Sequence, residues 1–303
     1  MKFLFFAGCK IENYLKHYET ASRAVLGALG VELVDVELNC CGYPVRHQNI
    51  PASILSAARN LALASKHHLD ILTPCKCCFG NLKYAISRLR EDAELRKKIN
   101  ALLEREGLFW EEGIQVKHLL SVLYHDVGLE AIQAKVKNPF QEVKIAPHYG
   151  CHALRPSRVV QFDNPLAPTL FEKLVEVTGA ESVSWERRLE CCGNPLWERN
   201  NSLSLYMMRK KLENAQDAGA DFICVACTYC QIQFDQVRAG QTEEYHNRLP
   251  SILYPQLLGL SMGLEENLLG IEKNAIDSQH LTRYCQSYHQ GLDGQRSKGG
   301  KND

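Results

Sequence analysis

The sequence has no excess of charge of either sign and no long apolar run, and each absence removes a class of function. Its 35 basic residues balance 35 acidic ones over 303 residues. No basic stripe is available for a phosphate backbone, so nucleic-acid binding is not expected. No stretch approaches the roughly 20 apolar residues that cross a bilayer. Met1 to Gly8 also lacks the charged segment, apolar stretch and cleavage site of a leader. A soluble, cytoplasmic protein with no membrane span is the expectation. The sequence further lacks a Gly-x-Gly-x-x-Gly fingerprint and the compact Cys-x2-Cys-x2-Cys run of a ferredoxin.

Cysteine is what it has in quantity, at thirteen residues. In a compartment that keeps thiols reduced, so many argue for metal or redox chemistry over structural disulfides. Ten of them form two sets of one rhythm, Cys9-x30-Cys40-Cys41-x33-Cys75-x2-Cys78 and Cys151-x39-Cys191-Cys192-x34-Cys227-x2-Cys230. Each vicinal pair is followed by glycine, Gly42 and Gly193, which would let the backbone approach a bound group closely. Cys77 and Cys224 have no counterpart in the other half and Cys285 lies in the tail. These three read as incidental or buried free thiols.

The elements around the cysteines repeat as well. Lys2 to Ala7 is an apolar run of the buried parallel-strand type and stops at Gly8-Cys9. A helix is predicted over Tyr14 to Leu29, a strand over Val31 to Leu38 and a helix over Pro51 to His68. A third strand, Asp70 to Thr73, stops at Pro74-Cys75, and a charged helical stretch runs from Gly80 to about Gly107. Val116 to Val127 reads as a linking helix. The order then returns, with strands from Val143, Glu181 and Phe222, helices over Thr169 to Thr178 and Leu203 to Ala218, and a closing helix over Pro250 to Leu264. The expected fold is α/β, with two similar, pseudo-twofold-related domains on parallel sheets, at 1–138 and 139–272. The polar tail 273–303 is expected to be disordered or bound to a partner. All ten thiols would then fall after strand C-terminal ends, where open α/β sheets place ligands.

Five thiols exceed the four that zinc or a cubane cluster needs. Neighbouring residues send their side chains in divergent directions, so Cys40-Cys41 suits two metals of one cluster better than a single ion. The set favours a polynuclear iron–sulfur centre. Zinc in one half stays open as an alternative, since Cys227 and Cys230 with two others would suffice.

These residues resemble the tandem CCG domains of the heterodisulfide reductase B subunit. The resemblance includes His148-Tyr149-Gly150-Cys151-His152, Gln231-Ile232-Gln233-Phe234-Asp235 and the segment from Gln256 to Leu264. It implies two noncubane [4Fe-4S] clusters, one on Cys9, Cys40, Cys41, Cys75 and Cys78, the other on Cys151, Cys191, Cys192, Cys227 and Cys230. It also implies a disulfide substrate, that of coenzyme M and coenzyme B, split between the clusters. The implied partners are the ferredoxin-like (C) and flavin-containing (A) subunits of the same complex. Similar subunits in sulfur-oxidising complexes make a persulfide or lipoyl-type carrier the alternative substrate, and an electron relay without substrate contact is a third reading. The Cys-Lys-Cys-Cys of the first half and the loops Tyr43 to Ile50 and Asn194 to Asn201 depart from the methanogen pattern. His152, next to a cluster cysteine, is the candidate acid for the product thiols, and His148 the second. Arg46, Arg155 and Arg199 lie near the cysteine loops and could hold an anionic substrate group.

Overall fold

In the computed structural model, which describes residues 1–241, 249–276 and 281, two parallel sheets of four strands carry the chain. The first has the order β2-β1-β3-β4, from β1 (Lys2–Phe5), β2 (Glu32–Val34), β3 (Ile71–Thr73) and β4 (Val116–His118). The second repeats it as β6-β5-β7-β8, from β5 (Lys144–His148), β6 (Glu181–Ser182), β7 (Phe222–Val225) and β8 (Ser251–Leu253). The central strands are buried along their length, Phe3 to Phe6 in one sheet and Phe222 to Val225 in the other. This is why they read as continuous apolar runs and not as alternating ones.

Two elements differ from the sequence reading. Where a linking helix is expected over Val116 to Val127, the first three residues are β4, paired with β3 through Ile71↔Val116 and Thr73↔His118. Helical turns follow at Leu119–Ser121 and Val122–Val127. The expected closing helix from Pro250 likewise begins with β8 and becomes helical only at Tyr254–Ser261. A strand of three residues is shorter than any window in which alternation shows, and the helical spacing after it conceals it. The helix predicted over Tyr14 to Leu29 is α2 (Lys16–Ala28), preceded by a short helix α1 (Cys9–Tyr14), and the charged stretch is α4 (Lys76–Glu91) and α5 (Ala93–Leu103) after α3 (Ile50–Lys66). Of the polar tail, Ala275 and Ile276 donate their amides to Asp235 at 2.9 and 2.8 Å, and Leu281 is buried. Residues 277–280 and 282–303 lie outside the described ones.

The halves interlock. Helix α2 packs against the helices Tyr254–Ser261 and Glu266–Leu269 of the second half, while α4 packs against Cys151–Leu154 and Ser157–Val160. The second of these contacts needs Gly80, where an added Cβ would stand 3.0 Å from the His152 carbonyl oxygen.

His17 is sealed into the first contact at 4 % exposure, and burial pushes its pKa from 6.5 down to about 4, with Lys273 adding to the fall. Between those values the folded chain binds fewer protons than the unfolded one, so stability falls as pH drops from 6.5 towards 4. The expected loss is on the order of 3 kcal/mol. Urea unfolding at stepped pH should show this slope in the parent chain and a flatter one in His17→Phe.

Candidate metal centres

All strands of a parallel sheet end at one edge, and both cysteine sets collect there. In the first half β1 runs out through Phe6 and Ala7 to Gly8, whose φ of +85° no L side chain adopts easily. A Cβ on Gly8 would stand 2.7 Å from Cys78 Sγ. Gly150 occupies the same place after β5, with φ +72° and a Cβ position 3.5 Å from Cys230 Sγ. The Gly-Cys pairs are thus where backbone yields room to sulfur.

The glycine of each vicinal motif also makes room for the helix that follows it. Gly42 (φ +86°) and Gly193 (φ +91°) face the next helix, where added Cβ atoms would fall 2.5 Å from Ser53 O and 2.7 Å from Ser204 O. Their amides also donate to the preceding thiols, Gly42 N to Cys40 Sγ at 3.5 Å and Gly193 N to Cys191 Sγ at 3.4 Å. The close approach is to a helix, and it fixes the direction in which the two cysteines leave the chain.

Within each half the sulfurs meet in one order. Cys9 contacts Cys40 at 3.6 Å, Cys40 interacts with Cys41, Cys41 with Cys78, and Cys78 with Cys75. The second half runs Cys151, Cys191, Cys192, Cys230, Cys227 by the same contacts. A separation of 3.6 Å is far beyond a disulfide, about 2.05 Å. It is near the roughly 3.8 Å between two thiolates held about 2.3 Å from one tetrahedral metal. Members of the string are forced to opposite protonation tendencies. Cys40 is pulled down by Cys41 and then Cys9, and Cys191 by Cys151 and then Cys192, while Cys9, Cys41, Cys151 and Cys192 are pushed up by those same neighbours. Ten largely buried thiols in two strings cannot all ionise unless a cation compensates them. That donor set, soft sulfur and five per half, fits a polynuclear iron–sulfur group. Among the described residues no three His, Cys, Asp or Glu side chains close around a single-ion position.

The two strings face each other across the boundary between the halves. Cys77 interacts with Cys227, and Cys75 with Thr228. Cys77, read from sequence as incidental, therefore stands between the sets. Its lack of a counterpart is explained by Tyr229 at the equivalent place in Cys227-Thr228-Tyr229-Cys230. Cys224 is a core residue of β7, as expected, and Cys285 lies outside the described residues.

His152 comes to this boundary. Its Nδ1 lies 3.4 Å from Cys151 Sγ and 3.7 Å from Cys77 Sγ, and its Nε2 lies 3.1 Å from Tyr43 Oη. Burial pushes the imidazole below its ordinary pKa, and burial pushes the Tyr43 phenol up. In the tautomer that serves a proton donor, Tyr43 donates to Nε2 and the Nδ1–H points at sulfur. His148 does not reach the sulfurs. It is the last residue of β5, fully buried against Trp185 and Phe234, with Nδ1 3.2 Å from the Arg188 carbonyl. Arg46 stacks on Tyr84 at 3.8 Å and acts on His152, whereas Arg155 and Arg199 are exposed.

Sequence reasoning missed Tyr43, Tyr229, Lys76 and Lys211. Lys76 is fully buried and donates to the Tyr149 carbonyl; Lys211 is 1 % exposed and donates to the Arg187 carbonyl. Burial pushes both down to about 8. A cleft of about 230 Å³ reaches Cys9 and Cys40 past Glu12, Glu19, Arg23 and Asp35. A cavity of about 500 Å³ lies between the halves against Lys10, Tyr14, Asn194, Trp197 and Tyr229.

A model of the cysteine-rich CCG domain matches the chain twice, at residues 3–83 and 145–235, which are the spans that carry the two strings. The chain is 34% identical over 284 residues to the B subunit of the ferredoxin/F(420)H(2)-dependent CoB-CoM heterodisulfide reductase of Methanosarcina acetivorans, covering 91% of this chain and 94% of that one. It is 32% identical over 281 residues to a heterodisulfide reductase B-subunit-like protein of Archaeoglobus profundus, covering 89% and 94%. It is 33% identical over 284 residues to the 8-methylmenaquinol:fumarate reductase membrane anchor subunit of Wolinella succinogenes, covering 92% and 99%. No helix among the described residues is long and apolar enough to cross a membrane. A crystal structure of a hypothetical protein from Helicobacter pylori shares the fold at a TM-score of 0.70 and 16% identity; it aligns over 90% of this chain, which spans about half, 51%, of that one. With both cysteine-rich repeats matched and relatives above 30% identity along nearly its whole length, the chain belongs to the heterodisulfide reductase B-subunit family.

Proposed function

We propose that the chain is the substrate-handling subunit of a cytoplasmic heterodisulfide reductase-like complex, reducing or forming a disulfide between two noncubane [4Fe-4S] clusters. Its partners in this reading are the ferredoxin-like (C) and flavin-containing (A) subunits of that complex. The observation that carries it is the meeting of the two sulfur strings through Cys77 and Cys227, with His152 between them. A disulfide has two sulfurs and takes up two electrons and two protons to give two thiols. When bound, each cluster would supply one electron and an iron face for one sulfur.

The protein's own residues do the rest. Cys9, Cys40, Cys41, Cys75 and Cys78 hold one group, and Cys151, Cys191, Cys192, Cys227 and Cys230 the other. His152 would deliver one product proton from Nδ1 towards the sulfurs while Tyr43 holds the ring through Nε2; the second proton, and the one that recharges Nδ1, come from solvent. Lys10 lines the cavity of about 500 Å³ at the boundary, where its ammonium suits a substrate carboxylate, sulfonate or phosphate.

The test is electron paramagnetic resonance of anaerobically purified protein titrated with 2-mercaptoethanesulfonate. Iron for two clusters and a signal that shifts or broadens on adding the thiol are expected. A colourless, iron-free folded protein, or a signal indifferent to thiol, would overturn the reading.

A further inference from the structure

The repeat aligns the halves residue by residue where cysteines meet helices. Asn49 caps α3 and Asn200 caps the helix Asn201–Asp217, each seven residues after its motif glycine, Gly42 or Gly193. In that register Lys211 corresponds to Asn60, and within the Cys-x-x-Cys loops Lys76 corresponds to Thr228. Each lysine faces the second string. Lys211 acts on Cys192, Cys230 and Cys191, and Lys76 on Cys227, Cys230, the core thiol Cys224 and Cys151. Lys76 belongs to the first half by sequence, yet its Nζ donates to the Tyr149 carbonyl and its Cδ is 3.5 Å from the Cβ position of Gly150.

The first string has neutral groups at both corresponding places. Asn60 donates to the Asn39 and Cys40 carbonyls at 3.1 and 3.4 Å, and Thr228 interacts with Cys75. The charges near the outer end of that string are different in kind. Lys10, beside Cys9, turns its ammonium onto Tyr14 at 4.4 Å and Tyr229 at 5.8 Å. Arg23 is bound to Glu19 and Asp35 at 2.8 and 2.6 Å in a cleft that also holds Glu12. On the second side Glu190 faces Lys211 but is exposed and pairs with Arg187 at 2.8 Å.

An ammonium taken fully out of water is costly unless an anion stands near it. Among the described residues neither lysine pairs with a carboxylate; each ammonium donates to a backbone carbonyl, of Tyr149 or Arg187, and the anionic groups acting on it are chiefly the thiols of the second string. We infer that Lys76 and Lys211 are counter-charges built for the second iron–sulfur group alone, so that it is the more easily reduced of the two and the first group the harder. The inference rests on the two-cluster reading above. Positive charge close to a cluster favours the form with one more electron, and net local charge is one of the protein's levers on cluster potential. A duplicated fold thereby becomes an ordered pair, with the electron resting first on the second half.

The test is a redox titration of the full chain followed by electron paramagnetic resonance, with the two signals assigned through their selective loss in Cys41→Ala and Cys192→Ala. Lys211→Asn and Lys76→Thr, which install the residue types of the other half, should each shift the oxidised–reduced equilibrium of the second group at least tenfold towards oxidised. For one electron that is 59 mV. The first group should move much less. Lys211→Arg, which keeps the charge, should restore the parent value, and Asn60→Lys should make the first group easier to reduce. Equal potentials in the parent chain, or equal shifts of both signals in the lysine variants, would overturn the inference while leaving two clusters in place. Iron for fewer than two clusters in the parent, seen before any titration, would instead remove the reading beneath it.

Discussion

Replacing Cys192 with alanine is expected to remove about half of the iron and one of two cluster signals. Cys192 is the middle member of its string, buried at 4 % exposure between Cys191 and Cys230. Its loss parts Cys151 and Cys191 on one side from Cys230 and Cys227 on the other. The first string is drawn wholly from residues between Cys9 and Cys78 and meets the other half through Cys77 and through Cys75, which faces Thr228 and Cys227, so its iron should stay. Cys224→Ala is the control, because that thiol lies in the core of β7 and belongs to neither string. It should keep all the iron and lose on the order of 1 kcal/mol of stability. Metal analysis alongside resonance spectra checks both. Unchanged iron in Cys192→Ala would show that the string does not bind metal as a unit.

His152→Gln is expected to lower turnover by about 10² to 10⁴-fold, the range for a positioned proton donor, with a smaller effect on substrate KM. Glutamine can still meet Tyr43 Oη, but its amide is a poor proton donor to sulfur. Tyr43→Phe keeps the ring that stacks edge-on against His152 at 4.9 Å and removes only the hydroxyl. It should therefore retain more activity than His152→Gln. Iron content and both signals should be unchanged in the two variants, which separates proton delivery from cluster assembly. His148→Gln should act differently, by weakening the packing against Trp185 and Phe234. Thermal unfolding would show that loss before any change in the mechanism. If His152→Gln turns over at the parent rate, the proton comes from solvent or another group.

The parts of the site that lie close to one another in sequence were readable from sequence. Cys75 and Cys78, the vicinal pairs and the Gly-Cys endings of β1 and β5 are local patterns, and their repetition announced two similar halves. Where local pattern competes with itself the reading failed. The strands β4 and β8 vanish into the helical spacing that follows them, since three residues make too short an alternation to register. The motif glycines were recognised as places of close approach, but the approaching group is a helix carbonyl from residues eleven positions later, Ser53 or Ser204.

The sequence by itself determined which ten sulfurs belong together, because spacing along a βα repeat dictates that they emerge at one sheet edge. It could not determine how the halves face each other, which depends on the docking of α2 and α4 onto helices of the other repeat. That docking alone sets Cys77 against Cys227, carries His152 to Tyr43 and threads Lys76 into the neighbouring half. Cys77, His152, Tyr43 and Lys76 have no like counterpart in the aligned repeat, so only the third dimension, where burial and unlike charges must be reconciled, shows what they meet.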